Sequence, residues 1–296
     1  MDSKLLVIIV AYNAMRWLDK CIGSVLSSSV QSDIILIDNG STDGTQDYVK
    51  EHFPMVLFKQ SAENLGFGKA NNIGLQHALD NGYDYVYLLN QDAWVMPDTF
   101  EKLIKAHLNN PRFGILSPLQ LQANMHHLDT NFNILCGKCA GLLDDVVLGE
   151  LRDVYEVPMT MAAHWLISKE CLQKVGGFSP TFPHYGEDNN YANRAQYHGF
   201  SNGIVPQAMA VHDRENRTVS EEHQIYREYI GNLILFSAIW HPKSHLILRM
   251  FGLSIKGIIL NKYPFKRLRN VFKTLSSLRE IRKNRIKSLS LKAFLS

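Results

Sequence analysis

Three acidic sites in this chain stand where an α/β enzyme places its chemistry. Asp92 closes the tripeptide Asn90-Gln91-Asp92, directly after the apolar run Tyr85–Leu89. Asp38 follows a second apolar run, Ile34–Ile37, and Glu187-Asp188 follows the turn-rich segment Pro180–Gly186. A carboxylate just past a buried parallel strand lies at the strand's C-terminal edge, where open α/β sheets bind ligands. Three such sites on separate elements can converge on one metal–diphosphate centre. That chemistry belongs to an enzyme handling a nucleotide-sugar.

Each site has its own chemistry. A diphosphate leaving group carries several negative charges, which a divalent cation neutralises as a Lewis acid. Mg²⁺ or Mn²⁺ takes oxygen ligands and commonly uses only one or two carboxylates plus phosphate oxygens. Asp92 is the best-placed carboxylate for this, and His212, in Val211-His212-Asp213, is the candidate second ligand. Asp38 is either an acceptor for a nucleobase imide N–H or a plain turn-former, since Asp-Asn-Gly-Ser is good turn chemistry. Asp43 reads as a turn residue and Asp98 as a helix start. Glu187-Asp188 opens a helix, which fits either a cap or a general base, because a helix N-terminus favours an ionised carboxylate. The preceding Phe178–Gly186, which includes Tyr185, is rich in aromatics and turn formers and can line a sugar site. In Asn64–Gly68, Gly66 and Gly68 allow close backbone approach to a ligand, and the helix that follows favours anions.

These sites need elements to hold them. Leu5–Val10, Ile34–Ile37, Val56–Lys59 and Tyr85–Leu89 read as buried strands. Met15–Ser27, Thr45–His52, Lys69–Asn81 and the stretch from Pro97-Asp98 to Leu108 read as helices between and after them. This alternation predicts a parallel, doubly wound sheet in the first ~110 residues. Past Gly114 the pattern turns mixed, with strands near Ile115–Pro118 and Met159–Ile167 and a helix over Glu187–His198.

With 296 residues, 46% hydrophobic and 20% charged, the chain can bury a large α/β core. The formal charge of +3 conceals an asymmetry. From His241 to Ser296 there are 14 Lys/Arg against the single acid Glu280, whereas the preceding residues hold 17 basic and 27 acidic side chains. A basic, apolar-rich tail on an acidic body predicts an anionic membrane surface as partner. No nucleic-acid motif accompanies the charge. The run from Leu246 to Leu260 is interrupted by Arg249 and Lys256, so a spanning helix is not expected. Further on, Phe265, Leu268, Val271, Phe272 and Leu275 recur at helical spacing, with Lys266, Arg267, Arg269 and Lys273 among them. This predicts an in-plane amphipathic helix, with packing of that helix on the catalytic body as the competing reading. Leu5–Val10 is too short for a signal segment, so the chain reads as cytoplasmic and peripheral on the inner face of the membrane. Cys21, Cys136, Cys139 and Cys171 form no disulfide framework and read as reduced thiols; Cys136-x-x-Cys139 alone is a weak zinc signal.

Five motifs occur in order: Ala11-Tyr12-Asn13, Asp38-Asn39-x-Ser41, Asn64-Leu65-Gly66-Phe67-Gly68-x-Ala70-Asn71-Asn72, Leu89-Asn90-Gln91-Asp92 and Gly186-Glu187-Asp188. Together they resemble the inverting family 2 glycosyltransferases of the GT-A fold, in particular the rhamnosyltransferase-like branch, over about Lys4–His212. The resemblance implies a Rossmann-like mixed sheet flanked by helices. It implies a catalytic domain over residues 1–240, with a nucleotide-binding half to about residue 110 and an acceptor-side half over 111–240. Residues 241–296 then form a basic helical extension. The resemblance places Tyr12, Asn13 and Asp38 at the nucleoside, with Ala11, Asn71 and Gln91 in the same nucleotide-sugar motifs. Asn64 and Gly66 lie near the nucleotide, and Asp92 and His212 hold the metal. Asp188 is the implied base and Glu187 the fallback. Ala163-His164-Trp165 resembles the acceptor-side strand, making His164, Trp165 and Tyr185 the expected acceptor contacts. The first position of the Asp-x-Asp-type motif is Asn90 here, which argues against two-carboxylate coordination.

The implied reaction is metal-assisted inverting transfer from a nucleotide-diphosphate sugar, dTDP-rhamnose or a UDP-hexose, to a glycan or lipid-linked acceptor in surface-polysaccharide synthesis. A nucleotidyltransferase would carry a Gly-rich, basic phosphate loop after its first strand, where this chain reads Ala11-Tyr12-Asn13-Ala14. A non-catalytic sugar-nucleotide-binding protein would have no need of Asp188.

Overall fold

The structure, a computed structural model, describes residues 3–214, 220–240 and 264–295. Nine strands form one mixed sheet: β1 (Leu5–Ala11), β2 (Asp33–Asp38), β3 (Leu57–Gln60), β4 (Tyr85–Asn90), β5 (Ala93–Val95), β6 (Phe113–Leu121), β7 (Tyr155–Val157), β8 (His164–Ser168) and β9 (Ser201–His212). Their order is β3-β2-β1-β4-β8-β6-β9-β5, with β7 paired to β9. Strands β3, β2, β1 and β4 are parallel, as expected, and β8 enters antiparallel between β4 and β6.

Eight helices follow in the catalytic body: α1 (Leu18–Leu26), α2 (Thr45–His52), α3 (Phe67–Asp80), α4 (Thr99–Asn109), α5 (Thr130–Cys136), α6 (Leu142–Leu148), α7 (Lys169–Val175) and α8 (Glu187–Tyr197). They cover both sheet faces, which is why β1 and β4 read as unbroken apolar runs. Leu5, Val7 and Ile9 enter one core with Tyr85, Tyr87 and Leu89. Leu6 and Ile8 enter the opposite core with Val86 and Leu88. Strand register levels the edge that matters: Ala11 pairs with Asp38, and Val10 with Asn90. The segments after β1, β2 and β4 therefore open at one height, beside the switch in strand order at β1.

Beyond residue 110 the sequence reading is coarser than the structure. Met159–Ala163 is not strand, and β8 begins at His164. The 12-residue β9 was not foreseen, because Ser201-Asn202-Gly203 and Pro206 are poor strand formers. Tertiary pairing with β6, irregular between Pro118 and Leu119, holds it in place.

Three further helices are α9 (Glu221–Ser237), α10 (Pro264–Ser276) and α11 (Leu278–Lys287). α10 rests on α9: Arg267 pairs with Glu228 at 2.8 Å, Asn270 Nδ2 donates to the Ile225 carbonyl, and Thr274 is buried. Ile281 of α11 packs with Phe182, Tyr229, Ile230 and Leu233. Past α11, the chain returns to the end of α7, where Gly177 N donates to the Ala293 carbonyl at 2.7 Å. A side chain on Gly176 would collide with that backbone, so the bare glycine permits the docking. The tail region is thus attached through α9, at Thr181 and Phe182, at His198 after α8, and at the end of α7. Arg269 and Lys273 flank an outward stripe of Phe265, Leu268, Phe272 and Leu275; Phe265 is 85% exposed and Phe272 62%. The run 246–260 lies outside the described residues. Among the described residues, no helix is long and apolar enough to cross a membrane.

Candidate active site

A cavity of about 290 Å³ opens at the C-terminal edge of β1 and β4. Its nucleotide-side wall is a lattice of amides. Gln91 pairs with the backbone of Tyr12, accepting from its N–H at 2.6 Å and donating to its carbonyl at 3.1 Å. Asn39 Nδ2 donates to Asn64 Oδ1 at 2.9 Å, and Asn39 Oδ1 accepts from Leu65 N at 2.7 Å. Asn64 Oδ1 also accepts from Gly66 N. These amides lock the loops after β1, β2 and β3 to one another. Asn13, at φ 51°, accepts from Thr42 N and ties the first loop to the second. Gly66 has φ 78°, and a Cβ there would lie 2.6 Å from the Pro183 carbonyl, so glycine is required where the two walls meet.

The floor carries Asp92 beside His212, the last residue of β9, with Asp92 Oδ1 3.4 Å from His212 Nε2. Arg214 Nε donates to the same ring nitrogen at 3.3 Å, which assigns the imidazole proton to Nδ1. That Nδ1 is buried without a partner. Tyr87, His164 and the Val211 carbonyl form a buried relay behind it. A carboxylate oxygen and an imidazole nitrogen 3.4 Å apart are donors of the kind a divalent cation takes when phosphate oxygens and water complete its shell, with Arg214 giving up its bond to the ring. Among the described residues, no cluster of three or more such side chains exists.

Opposite stands the start of α8. Gly186, at φ 86°, and Tyr185, at φ 67°, turn the chain sharply so that Glu187 and Asp188 both line the cavity. Glu187 is 6% exposed, and its Oε2 has no partner. Burial, reinforced by the Asp188 charge, lifts the Glu187 carboxyl to about 7. Burial also raises Asp188, partly offset by the Asn189 N–H and the Arg214 charge. The helix N-terminus therefore does not hold this pair in the ordinary acid range, because desolvation outweighs it.

Residues 6–126 match the sequence profile of glycosyl transferase family 2. The chain carries a family 2 glycosyltransferase domain. It is 26% identical over 246 residues to the N-acetylglucosaminyl-diphospho-decaprenol L-rhamnosyltransferase of Mycobacterium tuberculosis, covering 74% of this chain and 78% of that one. It is 23% identical over 224 residues to the dTDP-rhamnosyl transferase RfbF of Shigella flexneri, covering 74% and 72%. A shorter match, 32% over 108 residues, spans 35% of this chain and only 15% of glycosyltransferase GlyA of Streptococcus pneumoniae. Among solved structures, S. aureus TarS 1-349 in complex with UDP-GlcNAc aligns with a TM-score of 0.59 at 15% identity, over 97% of this chain and 84% of that one. GalNAc-T7 with UDP, GalNAc and Mn²⁺ aligns at 0.58 and 15%, over 79% and 50%. The fold is GT-A.

The structure brings Tyr12, Asn64, Gly66, Gln91, Asp92, Tyr185, Glu187 and Asp188 to one cavity, with His212 directly behind Asp92. Six expected contacts lie elsewhere, among them Asn13, which joins the first loop to the second instead of lining the cavity. His164 and Trp165 are fully buried in β8, Trp165 against Phe178 and Tyr191, so neither reaches an acceptor. The backbone just before that strand lines the cavity instead, at Met161, Ala162 and Ala163. Asn71 is buried on α3, donating to the Phe67 carbonyl, and Ala11 is sealed in the sheet. Asp38 is fully buried and bonded to Gln46 Nε2 and Ser41 N, the turn arrangement, while its neighbour Asn39 faces the cavity. Sequence reasoning missed Asn39, His184 and Arg214. Arg214 had a usable signal: a cation two residues beyond the candidate ligand His212.

Proposed function

We propose that this protein is an inverting glycosyltransferase that moves a sugar from a nucleotide-diphosphate sugar to an acceptor hydroxyl. The donor is dTDP-rhamnose or a UDP-hexose, and the acceptor a lipid-linked saccharide or glycan of surface-polysaccharide synthesis. One observation carries this reading: the Glu187–Asp188 pair faces Asp92, His212 and Arg214 across a single cavity.

The chemistry follows from that opposition. Gln91, Asn39 and Asn64 hold the loops that cradle the nucleotide. Asp188 accepts the proton of the acceptor hydroxyl, whose oxygen attacks the anomeric carbon from the face opposite the diphosphate. Inversion results from that geometry. Arg214 neutralises charge on the departing diphosphate. Asp92 and His212 would hold Mg²⁺ or Mn²⁺, which when bound supplies Lewis-acid stabilisation of the leaving group. The mycobacterial relative's name favours rhamnose and a lipid diphosphate acceptor, and that of RfbF favours a dTDP donor. Residues 1–240 form the catalytic domain, its nucleotide-binding half ending near residue 110. The 241–296 extension presents the Phe265–Phe272 stripe, with Arg269 and Lys273 beside it, to an anionic membrane surface on the cytoplasmic side.

A panel of UDP-, GDP- and dTDP-sugars, screened by thermal shift and by hydrolysis with and without Mn²⁺, tests the reading. One sugar nucleotide should raise the melting temperature and be turned over only with metal, and Asp92→Ala should abolish turnover. Full turnover in EDTA removes the metal; no stabilisation by any sugar nucleotide removes the function. For the tail, Phe265→Ser/Phe272→Ser should lose pelleting with anionic liposomes while keeping hydrolysis.

A further inference from the structure

α9 has two faces with different duties. Glu222, Ile225 and Glu228 meet α10, where Lys266 and Arg267 neutralise both acids. About half a turn away, His223, Tyr226, Arg227 and Ile230 face the loop that carries Tyr185 into the cavity. The Tyr226 hydroxyl donates to the His184 carbonyl, and Ile230 lies against Gly186. The His184 ring lies against Tyr185 at a 47° tilt with centroids 3.9 Å apart, His223 meets the Tyr185 ring edge-on at 5.4 Å, and the Arg227 guanidinium lies 5.6 Å from its centre. Arg227 is exposed and makes no ion pair among the described residues. His184 and Tyr185 line the same cavity as Asp188. The result is a ledge of one guanidinium and two imidazoles, ordered by an aromatic ring and set on the acceptor side of the base.

A neutral sugar acceptor has no use for such a ledge, whereas a phosphate does, because guanidinium groups bind phosphate oxygens through paired N–H donors. The opposite face of α9 supports the helix that carries the exposed apolar stripe. We infer that Arg227, His223 and His184 form a subsite for the phosphate of a lipid-linked acceptor, holding its sugar hydroxyl toward Asp188. This deepens the proposed function and rests on it for the identity of the attacking group. The lipid chain then leaves the ledge along α9 toward the stripe on α10.

The test separates the two readings by first filling the nucleotide site. With dTDP or UDP and Mn²⁺ saturating, calorimetric titration of geranyl diphosphate should show a second binding event. Geraniol should show none, and inorganic pyrophosphate should bind more weakly. Arg227→Ala and His223→Ala should each weaken that second event by about tenfold or more, with Arg227→Lys retaining part of it. Nucleotide affinity should stay unchanged in all three variants, a separation that a merely structural role for Arg227 would not produce. Phe265→Ser/Phe272→Ser should leave the event in place, which separates the ledge from the tail. Absence of a second event, unchanged affinity in Arg227→Ala, or geraniol binding as well as its diphosphate overturns the subsite. Equal affinity for inorganic pyrophosphate overturns the lipid-linked class. Failure of the nucleotide to bind in the first titration counts against the proposed function, and leaves the ledge to be read on its own.

Discussion

The two walls of the cavity differ in how they treat polar groups. On the nucleotide side, Gln91, Asn39, Asn64 and Asn13 bond to loop backbone or to one another. On the opposite side and floor, Glu187 Oε2 and His212 Nδ1 are buried without partners, and two carboxyls are held above their ordinary range. A satisfied amide lattice stabilises its own loops before any ligand arrives. Buried polar atoms without partners cost stability, and such a cost persists where a ligand or proton completes the set. In the proposed reaction the first wall is the scaffold and the second supplies the chemistry.

Substitutions should divide along that line. The largest effect belongs to Asp188→Asn, which should lower transfer by roughly 10²–10⁴-fold with nucleotide affinity retained. If Glu187→Gln is inactive and Asp188→Asn active, the roles of the two carboxyls are exchanged. Asn39→Ala should behave in the opposite way. It leaves Leu65 N without its acceptor and takes one of two donors from Asn64 Oδ1, at about 1–3 kcal/mol. The melting temperature should fall and nucleotide binding weaken about tenfold, while turnover of bound donor persists; a variant with unchanged affinity and lost turnover would erase the distinction between the walls.

A third effect is on pH dependence. Glu187 has a folded-state value near 7 against an ordinary 4.5, so the native state binds the extra proton between those values. Stability should therefore decline as pH rises through that window. Glu187→Gln should flatten the decline, removing a slope worth on the order of 3 kcal/mol across it. Melting temperatures of both proteins from pH 4.5 to 7.5 measure this. Activity runs the other way, since the base Asp188 must be ionised, and should be lost as pH falls through the raised value of its carboxyl.

The same contrast explains what the sequence disclosed. The parallel half was legible because β1, β2 and β4 are covered on both faces and their loops carry short, ordered motifs. Asp92 and Asp188 stand out in the sequence because one follows a recognisable strand and the other opens a recognisable helix. His164 and Trp165 misled because proximity in sequence to a cavity-lining stretch says nothing of side-chain direction; both turn into the interior, one residue past Ala163. β9 was invisible because its pairing, not its composition, makes it a strand. His223 and Arg227 stand beside the Tyr185 ring only through long-range packing of α9, which no local pattern reveals.

The most direct test of the account is the anomeric configuration of the transferred sugar. With the sugar nucleotide that the wild-type enzyme turns over, proton NMR of the fresh product should show the configuration opposite to that of the donor. Asp188→Asn should bind that donor and form no such product. Retained configuration, or an inverted product formed at full rate by Asp188→Asn, would contradict direct attack by a hydroxyl deprotonated at Asp188.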